Sequence, residues 1–360
     1  MTRAKDISRL ITDADFAGTL TVGDLTASSL NGGQFGGRRN LLINSGFDIW
    51  QRGVSQTSAG YGSVDRFQMS NSTSSFTTTR QSFATGQTDV PNNPLYYLRC
   101  VVSSGGSAGN YMFISQAIEG VQNGAGQTVT LSFYAKASSS LKVGVNLQQV
   151  FGTNGSSTVS TNGVAKTLST SWARYTVTTT LPSISSKTIG TDSDNLRLLL
   201  WLDSGSTYNT TSGSIGNQSG TFEFSNIQLE VSSVATPHER LSYGEELALC
   251  QRYYYRRTIG NSFVDFLPYA IAYATTDIQG GAFHPVQMRA NPTLAFSGIL
   301  KAGQGNAEYA SADATAFTSN STKDSVAFYT QSNTFSGLTQ FRGYQIYGAA
   351  NDYMELTAEL

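Results

Sequence analysis

The sequence contains 360 residues, of which 13% are charged and 11% are aromatic, and its formal net charge is −1. Disordered chains lack aromatic residues and carry more charge, so this composition predicts a folded protein, and the length predicts two domains plus a terminal segment. The balanced charge argues against sequence-independent binding of nucleic acid, and no apolar run approaches the ~18 residues of a membrane-spanning helix. The N-terminal residues also lack the apolar stretch of a secretory signal.

Residues 1–39 are rich in glycine and threonine and carry isolated apolar residues, among them Leu20, Val22 and Leu25. Such a segment buries almost no apolar surface by itself, so it cannot fold alone. We therefore expect it to become ordered only against another chain or against copies of itself, with these apolar residues at an oligomer interface. A flexible tail is the alternative that the sequence leaves open.

Residues 40–237 form short alternating apolar and polar runs between clusters of glycine, serine and asparagine, which is the pattern of antiparallel β-structure. Every even-numbered position of residues 196–202 is leucine, whereas the opposite face, with Trp201, is unusually apolar for a solvated surface. A change of parity between Phe224 and Ile227 predicts a β-bulge. About nine strands with almost no helix predict an all-β fold, a two-sheet β-sandwich of jelly-roll type.

The pattern of residues 238–258 predicts one linker helix that joins two β domains. Glu245 and Glu246 come at its start, where the positive end of the helix dipole favours acidic side chains. Arg256 and Arg257 suit the negative end of the same dipole, so we expect them in the last turn of this helix.

Residues 259–360 return to alternating runs and predict a C-terminal antiparallel β domain at the tip of the molecule. Its first run carries large residues on one face and Ala270, Ala272 and Ala274 on the other. A face of alanines allows close approach by another strand, either of this chain or of a neighbouring subunit. We therefore expect these alanines at an oligomer interface.

Few residues in the sequence suit catalysis by a thiol or an imidazole. The cysteines and histidines are Cys100, Cys250, His238 and His284, and their spacings match no recognised zinc site. Along a helix, Cys250 and His238 would lie about 18 Å apart, which is too far for a nucleophilic pair. We expect two buried thiols and two imidazoles without a catalytic role.

Carboxylates are sparse as well, although a glycosidase needs two of them about 5–10 Å apart. Within residues 101–190 the sequence holds one acid, Glu119, and nothing in the pattern brings together the four acids that follow, Asp192, Asp194, Asp203 and Glu223. Residues 105–109 match the G-x-S-x-G string of a hydrolase, but that motif needs a helix after it, and the next residues predict a strand. We expect a hairpin turn there and no catalytic residue.

Binding is better supported than catalysis, because sugar sites combine exposed aromatic side chains with polar and charged ones. Trp201, Trp172, Arg174 and Tyr175 have that composition and are the predicted glycan-binding residues. Ordinary core packing is the alternative for each tryptophan, since tryptophan is usually largely buried.

Longer strings carry a resemblance to a known family. They are NLLINSGFDIWQRG (40–53), SFYAKASSS (132–140), SWARYTVTTTLP (171–182) and FSNIQLEVSSVATPHERLSYGEELALCQRYYYR (224–256). In this order they resemble a module common in bacteriophage tail-fibre and receptor-binding proteins. FHPVQMRANPTL (283–294) and the terminal LTAEL look like the tips of such fibres, and the opening MTRAKDISRL is similar to fibre proteins of phages that infect cyanobacteria and marine bacteria.

The resemblance implies a carbohydrate-binding-module-like jelly roll, a homotrimer and a location in the virion tail. Two cysteines do not make a disulfide framework, which fits assembly in the reducing host cytoplasm. Related jelly rolls often hold a structural calcium through an acidic residue of the last strand, where this chain has Asn226. Asn44, Asp48 and Glu230 remain as candidate oxygen ligands, so a structural calcium stays open, and no other cofactor is predicted.

The leading hypothesis is therefore a non-enzymatic tail-fibre protein. Residues 1–39 would attach it to other tail proteins, and the β domains would bind a polysaccharide or lipopolysaccharide on the host surface. The low charge and abundant hydroxyl and amide side chains favour a neutral glycan. Two alternatives stay open, a depolymerase that cuts such a polysaccharide and a collar or adaptor protein of the virion without a host ligand.

Overall fold

The structure is a computed structural model, and it describes residues 29–30, 33–34, 38–258, 265–304, 307–313, 317–330, 335–348 and 351–360. Leu20, Val22 and Leu25 lie outside the described residues, so the N-terminal interface stays a prediction. The predicted boundaries of the four segments (1–39, 40–237, 238–258 and 259–360) stay a prediction as well.

Strands dominate the described residues. In chain order up to residue 231 they are β1 (Ser29–Leu30), β2 (Gly33–Gln34), β3 (Ser55–Gln56), β4 (Gln68–Ser72), β5 (Ser75–Ser82), β6 (Tyr96–Ser103), β7 (Tyr111–Glu119), β8 (Thr128–Ala137), β9 (Lys142–Val150), β10 (Val159–Ser160), β11 (Val164–Thr167), β12 (Ala173–Thr180), β13 (Asn195–Ser204) and β14 (Gly220–Val231). A 3-10 turn (Ser206–Tyr208) and a single-turn helix (Asn209–Ser212) lie between β13 and β14.

The linker helix (Tyr243–Gln251) follows this first group of strands. The second group comprises β15 (Tyr254–Thr258), β16 (Asp265–Ala272), β17 (Ile278–Phe283), β18 (Thr293–Phe296), β19 (Ile299–Gln304), β20 (Ala307–Asp313), β21 (Phe317–Ser321), β22 (Ser325–Thr330), β23 (Gly343–Tyr347) and β24 (Tyr353–Thr357). All the strand pairs within these sheets are antiparallel, and the all-β fold with one short linker helix is confirmed.

The first group builds the two sheets of the predicted sandwich. The first sheet has the order β12-β8-β14-β6-β5-β3, and the second has the order β10-β9-β13-β7-β4, with β11 also paired to β9. The connection between β6 and β7 passes from the first sheet to the second, so the hairpin turn expected at residues 105–109 is wrong. Both flanking segments are strands as expected, but their hydrogen-bonding partners lie in different sheets.

The main core lies between these sheets and follows the alternation in the sequence. The even-numbered leucines of β13 are at most 1% exposed and belong to one large apolar cluster. Phe224 and Ile227 both reach the same cluster because a register shift separates Ser225 from Gln228, which confirms the predicted bulge. Burying each large apolar side chain contributes roughly 1.5–3 kcal/mol.

The linker helix is fixed at its start by a reciprocal capping box. Ser242 Oγ accepts a hydrogen bond from the Glu245 backbone N–H, and the Glu245 carboxylate accepts one from the Ser242 N–H at 3.0 Å. The helix ends before Arg256 and Arg257, which lie in β15 and not in its last turn as expected. Pairing with β24 satisfies the backbone groups of this segment in a sheet. Within the described residues, no helix has the length and apolarity needed to cross a bilayer.

The second group of strands forms a three-stranded sheet, β15-β24-β18, and a seven-stranded sheet, β20-β19-β23-β16-β17-β22-β21. Ala270 and Ala272 are at most 1% exposed and belong to the core of this part of the chain, whereas Ile271 on the opposite face is 49% exposed. Ala274 lies beyond the end of β16 and is half-buried.

These positions correct the expectation that the alanine face contacts a neighbouring subunit. Cross-strand pairing places Ala270 beside Gly280 on one side and Tyr344 on the other, and Gly280 in turn pairs with Phe328. The small residues leave room over the sheet for the large rings of Tyr344 and Phe328, both buried. The closely approaching groups therefore come from the same chain.

The C-terminal residues return to the sandwich and pack against it. Glu359 pairs with Arg52 at 3.0 Å and also with Arg66, whose side chain is fully buried. The Arg66 guanidinium lies 3.4 Å from the ring centroid of Tyr253, directly after the linker helix. Leu360 packs on a small apolar cluster that includes Ile49 and Cys250.

Candidate functional site

A row of charged side chains, bordered by aromatic rings, crosses the outer face of the first sheet. Glu223 on β14 pairs with Arg99 on β6 at one side and with Lys136 on β8 at the other. Because side chains alternate along a strand, these residues point away from the core side chains Cys100, Phe222 and Ala137. Trp172 lies next to Lys136, immediately before β12. We define the platform as this row together with the rings that flank it, namely Phe83, Tyr97, Arg99, Lys136, Trp172 and Glu223.

Glu223 is the electrostatic centre of the platform. Its carboxylate lies 2.6 Å from Arg99 and 3.0 Å from Lys136, and its side chain is only 6% exposed, against 37% and 30% for the two cations. A carboxylate held this far from water is stable only when cations or hydrogen bonds compensate it, which both neighbours do. Partial burial lowers the pKa of Arg99, but the hydrogen bond and charge of Glu223 outweigh it and raise that pKa above its usual value.

Three aromatic rings border the charged row. The Phe83 and Tyr97 centroids are 4.7 Å apart, and each lies 5.3 Å from Trp172, with Tyr97 edge-on to it. Lys136 Nζ lies 5.3 Å from the Trp172 centroid, and the Tyr97 hydroxyl accepts a hydrogen bond from Arg99 at 3.3 Å. The three rings are all half-buried, so each keeps surface in contact with solvent.

The sheet face is slightly concave beside this row. The concavity has a volume of about 400 Å³, and its lining combines charged, hydroxyl and apolar groups: Arg99, Val101, Lys136, Ala137, Ser138, Thr170, Thr221 and Glu223. Val101 is 44% exposed and gives the concavity an apolar surface that is open to solvent. Glu223 is the one carboxylate in this lining.

The segment of residues 232–240 covers the other end of the same sheet face. Glu230 accepts hydrogen bonds from the backbone and hydroxyl of Thr236 at 2.9 and 2.8 Å, and Gln228 donates to the Thr236 hydroxyl at 3.0 Å. Arg174 donates to the Thr236 carbonyl and to Ser132 Oγ. This segment therefore closes one end of the face and leaves the platform open at the other.

The four predicted glycan-binding residues do not form one group. Trp172 and Arg174 share the outer face of the first sheet, but Tyr175 turns inward, where its ring stacks on Phe133 at 5.7 Å and its hydroxyl accepts from the Ser169 N–H. Trp201 belongs to the second sheet.

The structure corrects the expectation that Trp201 lies on an open face. Its side chain is 3% exposed and packs with Leu199 and Ile215, while its indole N–H donates to Asn146 Oδ1 at 2.9 Å. The chain that follows β13 folds back over this face and brings the Tyr208 ring to 5.4 Å from Trp201. The apolar outer face of β13 is thus covered by the segment that follows it. For Trp201, core packing, the alternative to glycan binding, is therefore correct.

Sequence reasoning missed most of the platform. Tyr97 and Arg99 alternate with buried residues in β6, and Lys136 does so in β8, so their outward orientation could be read from the sequence. Their proximity depends on the order β8-β14-β6, which joins strands far apart in the chain and has no local signal.

The candidate calcium ligands are not suited to a shared metal ion. Asn44 Oδ1 accepts from the Ile49 N–H, and its amide donates to the carbonyls of Ile49 and Asp65. Both Glu230 oxygens accept hydrogen bonds from Thr236, and Asp48, four residues after Asn44, has one buried oxygen with no partner among the described residues. Within the described residues no cluster of three or more His, Cys, Asp or Glu side chains could hold a metal.

The remaining reactive groups are occupied or buried. Cys100 and Cys250 are both buried and free, and burial raises the pKa of the Cys100 thiol to about 12. His238 Nε2 lies 3.0 Å from Ser45 Oγ, not beside a thiol. Asp203 is fully buried in the second sheet and accepts hydrogen bonds from Ser74, Asn110 and Gln218, so it is separated from Glu223 in the first sheet.

Comparison with known proteins gave matches in structure alone. No protein-family model matches the chain, and no curated protein matches it in sequence. Among solved structures it is similar to the enzymatically active domain of tailspike protein 4 of bacteriophage CBA120, with 10% identity, a TM-score of 0.32, and coverage of 53% of this chain and 21% of that one. The chain therefore spans about a fifth of that tailspike domain.

Two carbohydrate-binding modules are also similar to this chain. One is the family 11 module from Clostridium thermocellum in complex with a β-1,3-1,4-mixed-linked tetrasaccharide, with 11% identity, a TM-score of 0.31, and coverage of 51% of this chain and 98% of that one. The other is the CBM22-1 xylan-binding domain from Paenibacillus barcinonensis, with 12% identity, a TM-score of 0.30, and coverage of 57% and 100%. Likenesses at these TM-scores carry no inference about function.

Proposed function

We propose that this chain is a bacteriophage tail-fibre protein that binds a glycan on the host-cell surface through the platform. The observation that carries the proposal is the platform itself, in which half-buried rings lie beside charged hydrogen-bonding groups on an open sheet face. Sugars present apolar C–H faces and many hydroxyls, and this combination of groups is complementary to both. The phage location is supported by the sequence strings that resemble tail-fibre modules.

Assembly would make such a site effective. In the proposal the protein is a homotrimer, residues 1–39 attach it to other tail proteins, and it is assembled in the host cytoplasm before it enters the virion. A single open platform binds a sugar weakly, because solvent competes for every hydrogen bond. Several copies on one particle raise the overall affinity by ~10² to 10⁴ without any new contact.

The experiment is a binding measurement of the purified full chain on an array of bacterial polysaccharides and lipopolysaccharides. We expect binding to a subset of them, and we expect Trp172→Ala to weaken that binding by about tenfold, as a truncated central aromatic residue does in other interfaces. Tyr243→Ala is the matched control, because Tyr243 is 64% exposed on the linker helix and lies outside the platform. Equal losses in both variants would contradict the role of the platform.

The same purified protein and polysaccharide array also test the two alternative functions, a depolymerase and a collar or adaptor protein. Oligosaccharides released from a bound polymer would identify a depolymerase, and their absence alongside binding supports the adhesive function. A collar or adaptor protein would bind no polymer on the array and would not compete with the phage for adsorption to host cells.

A further inference from the structure

The open part of the platform carries an excess of positive charge. Arg99 and Lys136 line the concavity on the outer face of the first sheet, and Glu223 is the one carboxylate in that lining. Glu230 is on the same face, but it is 2% exposed and lies under the segment of residues 232–240, where Thr236 donates to it. The charge that a ligand meets at the concavity is therefore positive.

The two cations nearest the concavity keep unused donors. Arg99 contacts Glu223 through both Nε and Nη2, and its Nη2 also donates to the Tyr97 hydroxyl, whereas its Nη1 makes no hydrogen bond among the described residues. Lys136 contacts Glu223, which accounts for one of its three N–H groups. Both side chains line the concavity and are about a third exposed, so a ligand can reach them.

Glu223 holds the cations in place without neutralising both of them. It lies between them on the central strand, at 2.6 and 3.0 Å, and fixes the guanidinium on one side of the concavity and the ammonium on the other. A pair of cations separated by one strand presents converging donors, and charge-assisted hydrogen bonds from such donors to an anion are roughly twice as strong as neutral ones. A neutral sugar can also accept hydrogen bonds from these donors, but an anionic group gains the attraction of their charge in addition.

We propose that the platform selects an acidic saccharide, with a carboxylate or phosphate group held between Arg99 and Lys136 and the sugar ring against the adjoining aromatic rings. This inference rests on the proposed glycan binding and names its ligand class. It replaces the neutral glycan expected from the overall composition, because the local charge of the concavity differs from that of the whole chain.

The test compares matched polymers by biolayer interferometry with the full chain. Polygalacturonate is compared with its methyl-esterified, uncharged form, and lipopolysaccharide is compared with the same material after dephosphorylation. We expect loss of the acid to weaken binding by at least about tenfold in one pair, as expected when a charge-assisted contact is removed. The pair that responds identifies carboxylate or phosphate as the bound group.

Variants locate the effect. Arg99→Gln and Lys136→Gln should each weaken binding of the responding acidic polymer by about tenfold and change binding of its uncharged form by less than about twofold. Lys142→Gln is the control, since it removes the same charge from an exposed position on β9 of the other sheet. Thermal unfolding of each variant checks that the fold is retained.

The outcomes are distinguishable. Equal binding of the acidic and uncharged forms overturns the acidic ligand and leaves glycan binding standing. If Lys142→Gln weakens binding of the acidic polymer as much as Arg99→Gln and Lys136→Gln do, the attraction to charge is non-specific, and the inference is overturned. Binding to none of the four polymers overturns this inference and counts against the proposed function as well.

Discussion

His238 is a half-buried histidine whose surroundings favour its uncharged form. Its Nε2 contacts Ser45 Oγ, and its Nδ1 has no hydrogen-bond partner among the described residues. Burial lowers the pKa of this imidazole to about 4, and the nearby charges of Arg240 and Arg174 act in the same direction. Folding therefore disfavours the protonated ring.

The pH dependence of stability follows from that lowered pKa. His238 contributes stability that is present above its unfolded pKa of 6.5 and lost as the pH falls through about 4. Relative to His238→Gln, we expect the wild type to lose about 3 kcal/mol of unfolding free energy between neutral pH and pH about 4. Urea unfolding at a series of pH values measures the difference, and a constant gap between the two proteins would contradict the lowered pKa.

The two tryptophans predicted to bind glycan have opposite environments, and their substitution separates core from surface. Trp201 is 3% exposed, so Trp201→Ala should reduce the unfolding free energy by about 3–5 kcal/mol, because it leaves a cavity. Trp172 is half-buried on the platform, so Trp172→Ala should cost less than about 1.5 kcal/mol. Denaturant unfolding compares the two, and similar losses would show that Trp172 is also a core residue.

At the scale of elements, alternation along the strands predicted which side chains share a face but not what covers that face. The leucine face of β13 was predicted correctly because period-two burial is a local property. The other face of β13 is buried by a segment that includes Tyr208, and the fate of the Ala270 face depends on rings from distant strands. The segment over β13 follows that strand directly and the rings over Ala270 come from distant strands, but neither cover leaves a mark on the periodicity of the strand itself.

The predicted end of the linker helix was wrong because of a contact with a distant strand. Residues 254–257 have helical spacing with the preceding residues, and two arginines suit a helix C-terminus. Their backbone is instead held by β24, at the far end of the chain, through pairs such as Tyr254 with Thr357. Pairing of a strand across about a hundred residues outweighs a weak helical preference.

The alanine face of β16 gives a test at the same scale. Ala272 is fully buried beneath side chains of its own chain, so Ala272→Leu should overpack that core and reduce the unfolding free energy by about 1–3 kcal/mol. Ile271→Val is the control, because Ile271 is 49% exposed on the opposite face of the same strand. The loss should not depend on protein concentration, and a loss that does would indicate a subunit interface after all.

At the scale of the whole molecule, residues from strings far apart in the sequence meet at one place. Arg52 comes from the first string, Tyr253 and Tyr254 from the string that ends the linker helix, Arg289 from the FHPVQMRANPTL string and Glu359 from the terminal one. Arg289 donates to the Glu359 carbonyl at 3.0 Å, and Arg52 lies 3.5 Å from the Tyr254 ring centroid. These residues therefore join the sandwich to the C-terminal strands.

Glu359 is the anion on which this junction depends. It lies against Arg52 and the fully buried Arg66, and removing the anion from a buried pair leaves an uncompensated charge. We expect Glu359→Ala to reduce the unfolding free energy by about 3–5 kcal/mol. Asp89, an exposed acid, provides the control, and Asp89→Ala should change the unfolding free energy by less than about 0.5 kcal/mol.

A double variant distinguishes loss of an ion pair from loss of packing. When an apolar pair replaces a buried ion pair of similar volume, much of the stability returns, since no charge remains to be desolvated. Arg66→Met combined with Glu359→Leu should therefore be more stable than Glu359→Ala alone, although Arg52 then lacks its partner. Chemical unfolding of the double variant and its two single variants measures the coupling free energy between Arg66 and Glu359. If the losses of unfolding free energy in the single variants add up to the loss in the double variant, the two residues stabilise the junction independently of each other.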